Sequence, residues 1–167
     1  NRYLDVALGS ALECAAGLDV CAAKTLLPAA AVAEGKRQLH GIVRMTVGLR
    51  RSTPESVQEG HVRYEPGGGA RAEVRFGHEE LEVYRTALAL VRWLDGFCRD
   101  DKIDARCATR LDKGSTAVVL NIAEGNGRFS ELDHRRFIDI ANTNASVFAA
   151  ALDVLVAREL VTEEEMK

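Results

Sequence analysis

The chain has 167 residues, of which 47% are hydrophobic and 5% aromatic, and its formal net charge is −3 at pH 7. This length suits one domain or slightly more, and the apolar content is sufficient for a packed core. A net charge this small gives no overall attraction to nucleic acid or to an anionic membrane. The charge is unevenly spread, since residues 1–51 carry +3 and residues 79–167 carry −5.

Two helices are predicted in residues 1–51. Apolar residues recur at helical spacing from Arg2 to Lys24 and again from about Ala29 to Leu49. Pro28 stands between these stretches, and proline is poor inside a helix but suited to its first turn. The pattern therefore predicts a helix pair with a break near Leu26 and Leu27.

Residues 52–78 are predicted to be a linker with a short β-hairpin. Proline at position 54 ends the preceding helix, and the run Pro66–Gly69 is strong turn chemistry. Residues alternate in polarity on either side of that run, as in a strand. The alternating apolar residues are Val62, Tyr64, Ala72, Val74 and Phe76.

Three more helices are predicted in residues 79–167, at about 79–99, 102–124 and 131–160. The glycines Gly125 and Gly127 suit a left-handed cap at the end of the second of these. Ser130 and Asp133, three residues apart, read as a capping box that starts the third. The acidic run at 163–165 looks like the first turn of a further helix.

An internal repeat relates the two ends of the chain at a shift of 134 positions. The segment Arg2–Ala7 lies over Arg136–Ala141, and Ala15–Val20 lies over Ala149–Val154. Self-similarity at a fixed shift is the signature of a repeated unit. If the repeated helix is the third of its unit, the helix order is 3-4, linker, 1-2-3 and the start of 4. The chain is therefore expected to be a piece of a longer tandem protein, trimmed at both ends.

These elements predict an all-α fold, an antiparallel up-and-down four-helix bundle with short connections. In one arrangement, the helices at 79–99, 102–124 and 131–160 take up the helix at 29–51, and the first helix is left over. In the other, residues 1–51 pair with 79–124, and the last helix is left over. Either arrangement leaves one amphipathic helix unpaired, which predicts a homo-oligomer or helix swapping.

The sequence also resembles a known family. The strings Leu81–Tyr84, Asn121–Arg128 and Arg136–Ala141, with Ser130 and Asp133, resemble the bacterial "four helix bundle protein" family. This family is also called the 23S rRNA intervening-sequence protein family, and the accessory variability determinants of diversity-generating retroelements are related to it. The resemblance covers about residues 1–51 and 79–167.

The resemblance implies an antiparallel bundle that assembles into cyclic oligomers, pentamers in particular, without catalytic activity. For the accessory determinants, it implies binding to nucleic acid and to a reverse transcriptase through a basic surface. The chain departs from the pattern in its tandem order, and in having Asn142–Asn144 where the first copy has Leu8–Ser10.

The string that ends the predicted helix at 102–124 has two interpretations. Glu124 beside Gly125 and Gly127 could be a carboxylate next to a phosphate-binding loop. Such a loop precedes a helix in known phosphate sites, whereas this one follows a helix. We therefore favour a structural cap in which Asn121 and Glu124 bond backbone amides at the helix corner.

Arginine periodicity is the sharpest functional signal. Two sets of arginines at seven-residue intervals each form one stripe on a helix, because seven residues are almost two turns. Such stripes could follow phosphates, with Arg128 as a further contact, or they could be ordinary solvated faces paired with carboxylates. The stripes are Arg37, Arg44 and Arg51, and Arg85, Arg92 and Arg99.

No other chemistry is predicted. The four histidines are scattered without metal-ligand spacing, so neither a metal site nor a cofactor is expected, and no residues suggest an enzyme. Cys14 and Cys21 share a helical face and are predicted to be small buried hydrophobes, as in a reducing cytoplasm. No membrane-spanning run is expected. The sequence thus favours a non-enzymatic oligomeric scaffold, with a non-specific RNA- or DNA-binding protein as the alternative.

Overall fold

The computed structural model describes residues 2–52, 75–99, 103–162 and 164. Within these ranges the chain forms five α-helices, one short 3₁₀ turn and no strand, which confirms the all-α prediction. The elements are α1 (Arg2–Ala23), α2 (Ala29–Ser52), the 3₁₀ turn Gly77–Glu80, α3 (Glu82–Phe97), α4 (Ala105–Asn126) and α5 (Glu131–Ala157).

The predicted hairpin lies outside the described residues except at its last position. Phe76 has extended backbone angles, is 4% exposed and directly precedes the 3₁₀ turn. Because that turn occupies residues 77–80, α3 begins at Glu82, three residues later than the periodicity indicated.

Side-chain caps start two of the helices. The Asp104 carboxylate accepts hydrogen bonds from the backbone N–H groups of Arg106 and Cys107, each at 2.9 Å, at the start of α4. Ser130 Oγ accepts the N–H of Asp133 at 3.4 Å at the start of α5, as the capping signal predicted. Each cap satisfies a backbone donor that the first helical turn leaves without a partner.

Helix α4 lies at the centre of the packing and contacts α1, α3 and α5. Its middle contributes Val119 and Ile122 to a buried cluster with residues of α1 and α3. Its N-terminal half contributes Leu111 to a second cluster that includes Phe148 and Leu155 of α5. Among the described helices, α1 is the only one on which α2 packs, and α4 is the only one whose backbone lies close to that of α5.

Candidate functional site

The two helices that the predicted repeat relates, α1 and α5, end in the same backbone structure. Thr25 after α1 and Glu159 after α5 occupy equivalent positions, and both have left-handed backbone angles, with φ of 55° and 57°. In α1 the Leu26 N–H donates to the Cys21 carbonyl at 2.8 Å, and in α5 the Leu160 N–H donates to the equivalent carbonyl at 3.1 Å. This six-residue bond is the mark of a Schellman cap.

The same two helices bury different faces. Ala16 and Val20 of α1 are 0% and 5% exposed, whereas the equivalent Ala150 and Val154 of α5 lie at the surface. Conversely, Phe148 of α5 is buried against α4, whereas its equivalent Cys14 is exposed. The prediction that Cys14 is a buried hydrophobe is therefore wrong, because α1 turns the opposite face to the core.

Helix α5 consequently carries an apolar stripe on its outer side. Leu132 is 78% exposed, Val147 53% and Val154 48%. Helical spacing places Ile140 and Ala150 in the same row. We call these five residues the α5 stripe. Two shallow grooves run along it, and arginines line them beside the apolar residues, namely Arg110, Arg135, Arg136 and Arg158.

The six arginines of the two predicted stripes are all exposed. Arg37 forms an ion pair with Glu34, and Arg99 pairs with Asp95 at 2.6 Å. The remaining four, Arg44, Arg51, Arg85 and Arg92, have no ion pair to a carboxylate within the described part of the chain. Helices α2 and α3 do not pack on each other there, so the two stripes are carried by separate parts of the fold.

Arg128 is placed differently from those six arginines. Its side chain is only 10% exposed, forms an ion pair with Glu124 and lies over the ring of Phe137, 4.6 Å from the ring centroid. The guanidinium also contacts α1 at Gly9, where an added Cβ would lie 3.0 Å from it. Arg128 thus joins the start of α5 to α1 and is not presented to solvent like the others.

The corner between α4 and α5 differs from the predicted cap. Asn121 Nδ2 donates to the Ala117 carbonyl at 2.7 Å, and Glu124 pairs with Arg128, so neither side chain bonds a backbone amide of the corner. His134 Nδ1 lies 2.8 Å from the Gly125 carbonyl oxygen and supplies the contact to the corner.

The corner glycines serve close packing and not a left-handed turn. Gly127 has a right-handed φ of −86°, so the predicted left-handed cap is wrong. A Cβ at Gly127 would lie 2.5 Å from Leu12 Cδ1, and one at Gly125 would lie 3.0 Å from Phe137 Cβ. Glycine is required here because α1 and α5 both press against the end of α4.

Sequence reasoning missed a buried polar cluster, because its members come from four separate elements. Asp19 of α1 forms an ion pair with Lys36 of α2, and Lys36 also contacts Glu79 at 3.0 Å. The Tyr84 hydroxyl donates to Asp19 Oδ2 at 2.9 Å. His78, wholly buried, lies beside these groups. We call these five residues the Asp19–His78 cluster.

Burial and charge shift the pKa values inside the cluster. Burial, reinforced by the nearby Lys36 ammonium, lowers the pKa of His78 to about 3. Burial raises the pKa of Glu79 against the opposing effect of Lys36. For Lys36 itself, burial alone would lower the pKa, but its bonds to Asp19 and Glu79 raise it above its usual value. The cluster at neutral pH therefore holds a neutral imidazole beside the Lys36 ammonium.

Two helices are long and apolar enough to cross a membrane by length and composition. These are α1 and α5, each with a mean hydropathy of 1.5 over its most apolar stretch. The expectation that no helix is long and apolar enough to cross a membrane is therefore wrong, because the many alanines and valines of α1 and α5 raise their mean hydropathy. Core helices of soluble proteins pass the same criterion, so the predictions of a cytoplasmic location and of no membrane contact stay predictions.

Comparisons with models of protein families, with curated proteins and with solved structures find no match to this chain. The resemblance to the four helix bundle protein family therefore stays a prediction.

Proposed function

We propose that this protein is a non-enzymatic helical scaffold that assembles with further copies of itself through the α5 stripe. In this proposal, α5 lies against α4 at the edge of the helical assembly, and its outer side receives a second chain. The observation that carries the proposal is the exposure of Val147 and Val154 on a helix that approaches the backbone of α4 alone among the described helices.

The first support is energetic. Val147 and Val154 together with Leu132 expose apolar area that water solvates poorly. Covering apolar surface gains about 25 cal/mol per Å². A row of exposed apolar residues along one helix is typical of an interaction surface.

The second support comes from the internal repeat. Ala150 and Val154 of the α5 stripe are the equivalents of Ala16 and Val20, which the core covers completely or nearly so. The same helical sequence pattern thus already packs against other helices of this protein at its other occurrence. Helices of a second copy can pack their apolar faces against α5 in the way that helices of the same chain pack against α1.

A change in solution mass tests this proposal. Val147→Asp and Val154→Asp each place a carboxylate in the α5 stripe, and both variants are expected to have the mass of one chain by light scattering where the wild type is larger. Val83→Asp is the matched control, since Val83 is a 58% exposed valine on α3. A wild-type mass equal to one chain, or an undiminished mass in both α5 variants, would overturn the proposal.

A membrane surface is the competing occupant of the same stripe. Flotation with lipid vesicles separates the two, because self-assembly predicts that the wild-type oligomer stays with the soluble fraction. Vesicle binding by a wild-type monomer, lost in Val147→Asp, would replace the scaffold proposal with a membrane-surface role.

A second candidate function is non-specific binding of RNA or DNA. It is favoured by Arg44, Arg51, Arg85 and Arg92, which are exposed and lack a carboxylate partner among the described residues. A ring of copies would multiply each stripe around its circumference, and each stripe would contact phosphates through counterion release.

A further inference from the structure

The Asp19–His78 cluster gathers metal-ligating atoms from elements far apart in the sequence. Asp19 comes from α1, whereas His78 and Glu79 come from the 3₁₀ turn before α3. One oxygen of each carboxylate and one ring nitrogen of His78 all lie within 4.8 Å of one another. Ligand bonds to first-row metals are about 2.0–2.2 Å long, so two ligands of one ion lie at most about 4.4 Å apart, and small side-chain movements bring these three atoms within that distance.

His78 is the residue that the fold alone does not explain. Its side chain is 0% exposed, and neither Nδ1 nor Nε2 has a hydrogen-bond partner among the described residues. Its ring is held in place by Phe76, stacked at 5.7 Å between centroids, and by Tyr84 in an edge contact at 4.7 Å. A buried polar atom without a partner is costly, so a wholly buried imidazole of this kind calls for a ligand.

The charges around His78 favour a cation. Within the described part of the chain, Asp19 and Glu79 face one ammonium, that of Lys36, which contacts both carboxylates. The Lys36 Nζ atom thus marks a position between the two carboxylates that already attracts positive charge. Tyr84 donates to the Oδ2 atom of Asp19 and fixes the orientation of that carboxylate, as outer-shell partners of metal ligands do.

We propose that Asp19, His78 and Glu79 form a binding site for a first-row divalent cation such as Zn²⁺, with the Lys36 ammonium as its competitor. One imidazole nitrogen and two carboxylate oxygens suit Zn²⁺, Co²⁺ or Mn²⁺, whereas Mg²⁺ and Ca²⁺ select oxygen ligands alone. When the ion enters, Lys36 moves off the carboxylates toward solvent, and water completes the coordination. The ion then joins α1 to the turn that leads into α3.

Spectroscopy of the whole chain tests the site. After dialysis against a chelator, the protein is titrated with Co²⁺ and followed by visible absorption, and with Zn²⁺ by calorimetry. We expect saturable binding of one ion per chain, without the sulfur-to-metal absorption that cysteine ligation would give. Absence of saturable binding, or a spectrum dominated by sulfur ligation, would overturn the proposal.

Variants assign the ligands. His78→Gln is expected to abolish the Co²⁺ spectrum, whereas His134→Gln, at an exposed histidine of α5, keeps it. Binding that survives in His78→Gln would refute the site. If His78→Gln does not fold, the wild-type imidazole ¹⁵N resonances provide the readout, because Zn²⁺ must shift those of His78, and unshifted resonances refute the site equally.

Replacement of Lys36 is expected to raise the affinity for Zn²⁺, whereas replacement of His78 lowers it. Lys36→Met removes the competing charge while keeping the length of the side chain, and we expect it to tighten Zn²⁺ binding by about tenfold or more. A merely structural cluster would lose stability in this variant and gain no metal affinity. Weaker or unchanged Zn²⁺ binding in a folded Lys36→Met variant would contradict the role of Lys36 as competitor.

Discussion

Thr25 and Glu159, which are 134 residues apart, end their helices with the same left-handed backbone conformation, at φ of 55° and 57°. The shift between them is the one that aligns α1 with α5 in the sequence. Neither residue is glycine, although the left-handed region costs other residues about 1 kcal/mol or more. The two caps thus match at the shift of the predicted repeat, although neither has the glycine that usually forms such a cap.

Replacing either residue with glycine should stabilise the protein. Thr25→Gly is expected to raise the free energy of unfolding by about 1 kcal/mol, and Glu159→Gly by somewhat less, because threonine is β-branched. Urea denaturation measures both. Thr86→Gly, at an exposed position inside α3, is the control and should give no gain. A loss of stability in Thr25→Gly would contradict the left-handed cap.

Gly127→Ala should destabilise the protein because the new Cβ would lie 2.5 Å from Leu12 Cδ1. Overpacking of this kind costs about 1–3 kcal/mol. The control is Gly41→Ala in α2, where nothing lies within 4 Å of an added Cβ, and it should stabilise by up to about 1 kcal/mol. In a Leu12→Val background the cost of Gly127→Ala should shrink. An undiminished cost there would place the clash elsewhere.

Stability of the metal-free protein should fall as the pH drops below 6.5. His78 has a folded pKa of about 3 and an unfolded value of 6.5, so between these values the unfolded chain binds the extra proton. Stability then rises with pH, and the His78 contribution at pH 5 is about 2 kcal/mol less favourable than at pH 7. Lys36, Asp19 and Glu79 face the ring, and the raised pKa of Glu79 acts with opposite sign just above pH 4.5.

Urea denaturation in chelator at pH 7 and pH 5 measures this difference. His78→Gln should remove it, whereas His134→Gln should retain it. An equal pH dependence in the wild type and in a folded His78→Gln variant would show that His78 is not held neutral by burial.

If the arginine stripes bind nucleic acid, affinity for a mixed oligonucleotide should fall steeply with salt. Arg44→Ala and Arg85→Ala should each weaken binding and reduce the salt slope by about 1, because each removes one phosphate contact. Arg135→Ala is the matched control, since Arg135 is an exposed arginine outside both stripes and pairs with Glu131. Fluorescence anisotropy over a salt series measures all three. Affinity that does not depend on salt concentration would argue against binding by the stripes. So would a loss of affinity in Arg135→Ala as large as that in Arg44→Ala and Arg85→Ala.

The helices could be predicted from sequence because the information for them is local. The apolar repeat of α1 and the Ser130 cap of α5 each lie within a few residues and depend on backbone geometry common to all helices. The 3₁₀ turn before α3 was not predicted because Glu79 continues the helical pattern of α3 in the sequence, whereas in the structure it lies in that turn and pairs with Lys36 of α2.

The candidate sites were harder to predict because they depend on which helices meet. The pattern Gly125–Gly127 is compatible with both a left-handed cap and a close contact, and only the position of Leu12, more than a hundred residues earlier, decides between them. The residues of the Asp19–His78 cluster do not recur at a regular interval, so no sequence pattern could have predicted that they lie together. The helix at 131–160 was predicted from its periodicity, but the exposure of the α5 stripe depends on which helices pack against it.

The central position of α4 bears on whether the protein can be reassembled from two separate fragments. Residues 2–52 and residues 75–164 are held together by the contact of α1 with α4 and by ion pairs such as Lys24 with Asp112. A backbone break placed between positions 53 and 74 therefore severs none of these contacts. Two polypeptides divided there should associate as complementing fragments. If each fragment is fused to a different reporter, proximity of the two reporters would then measure the association.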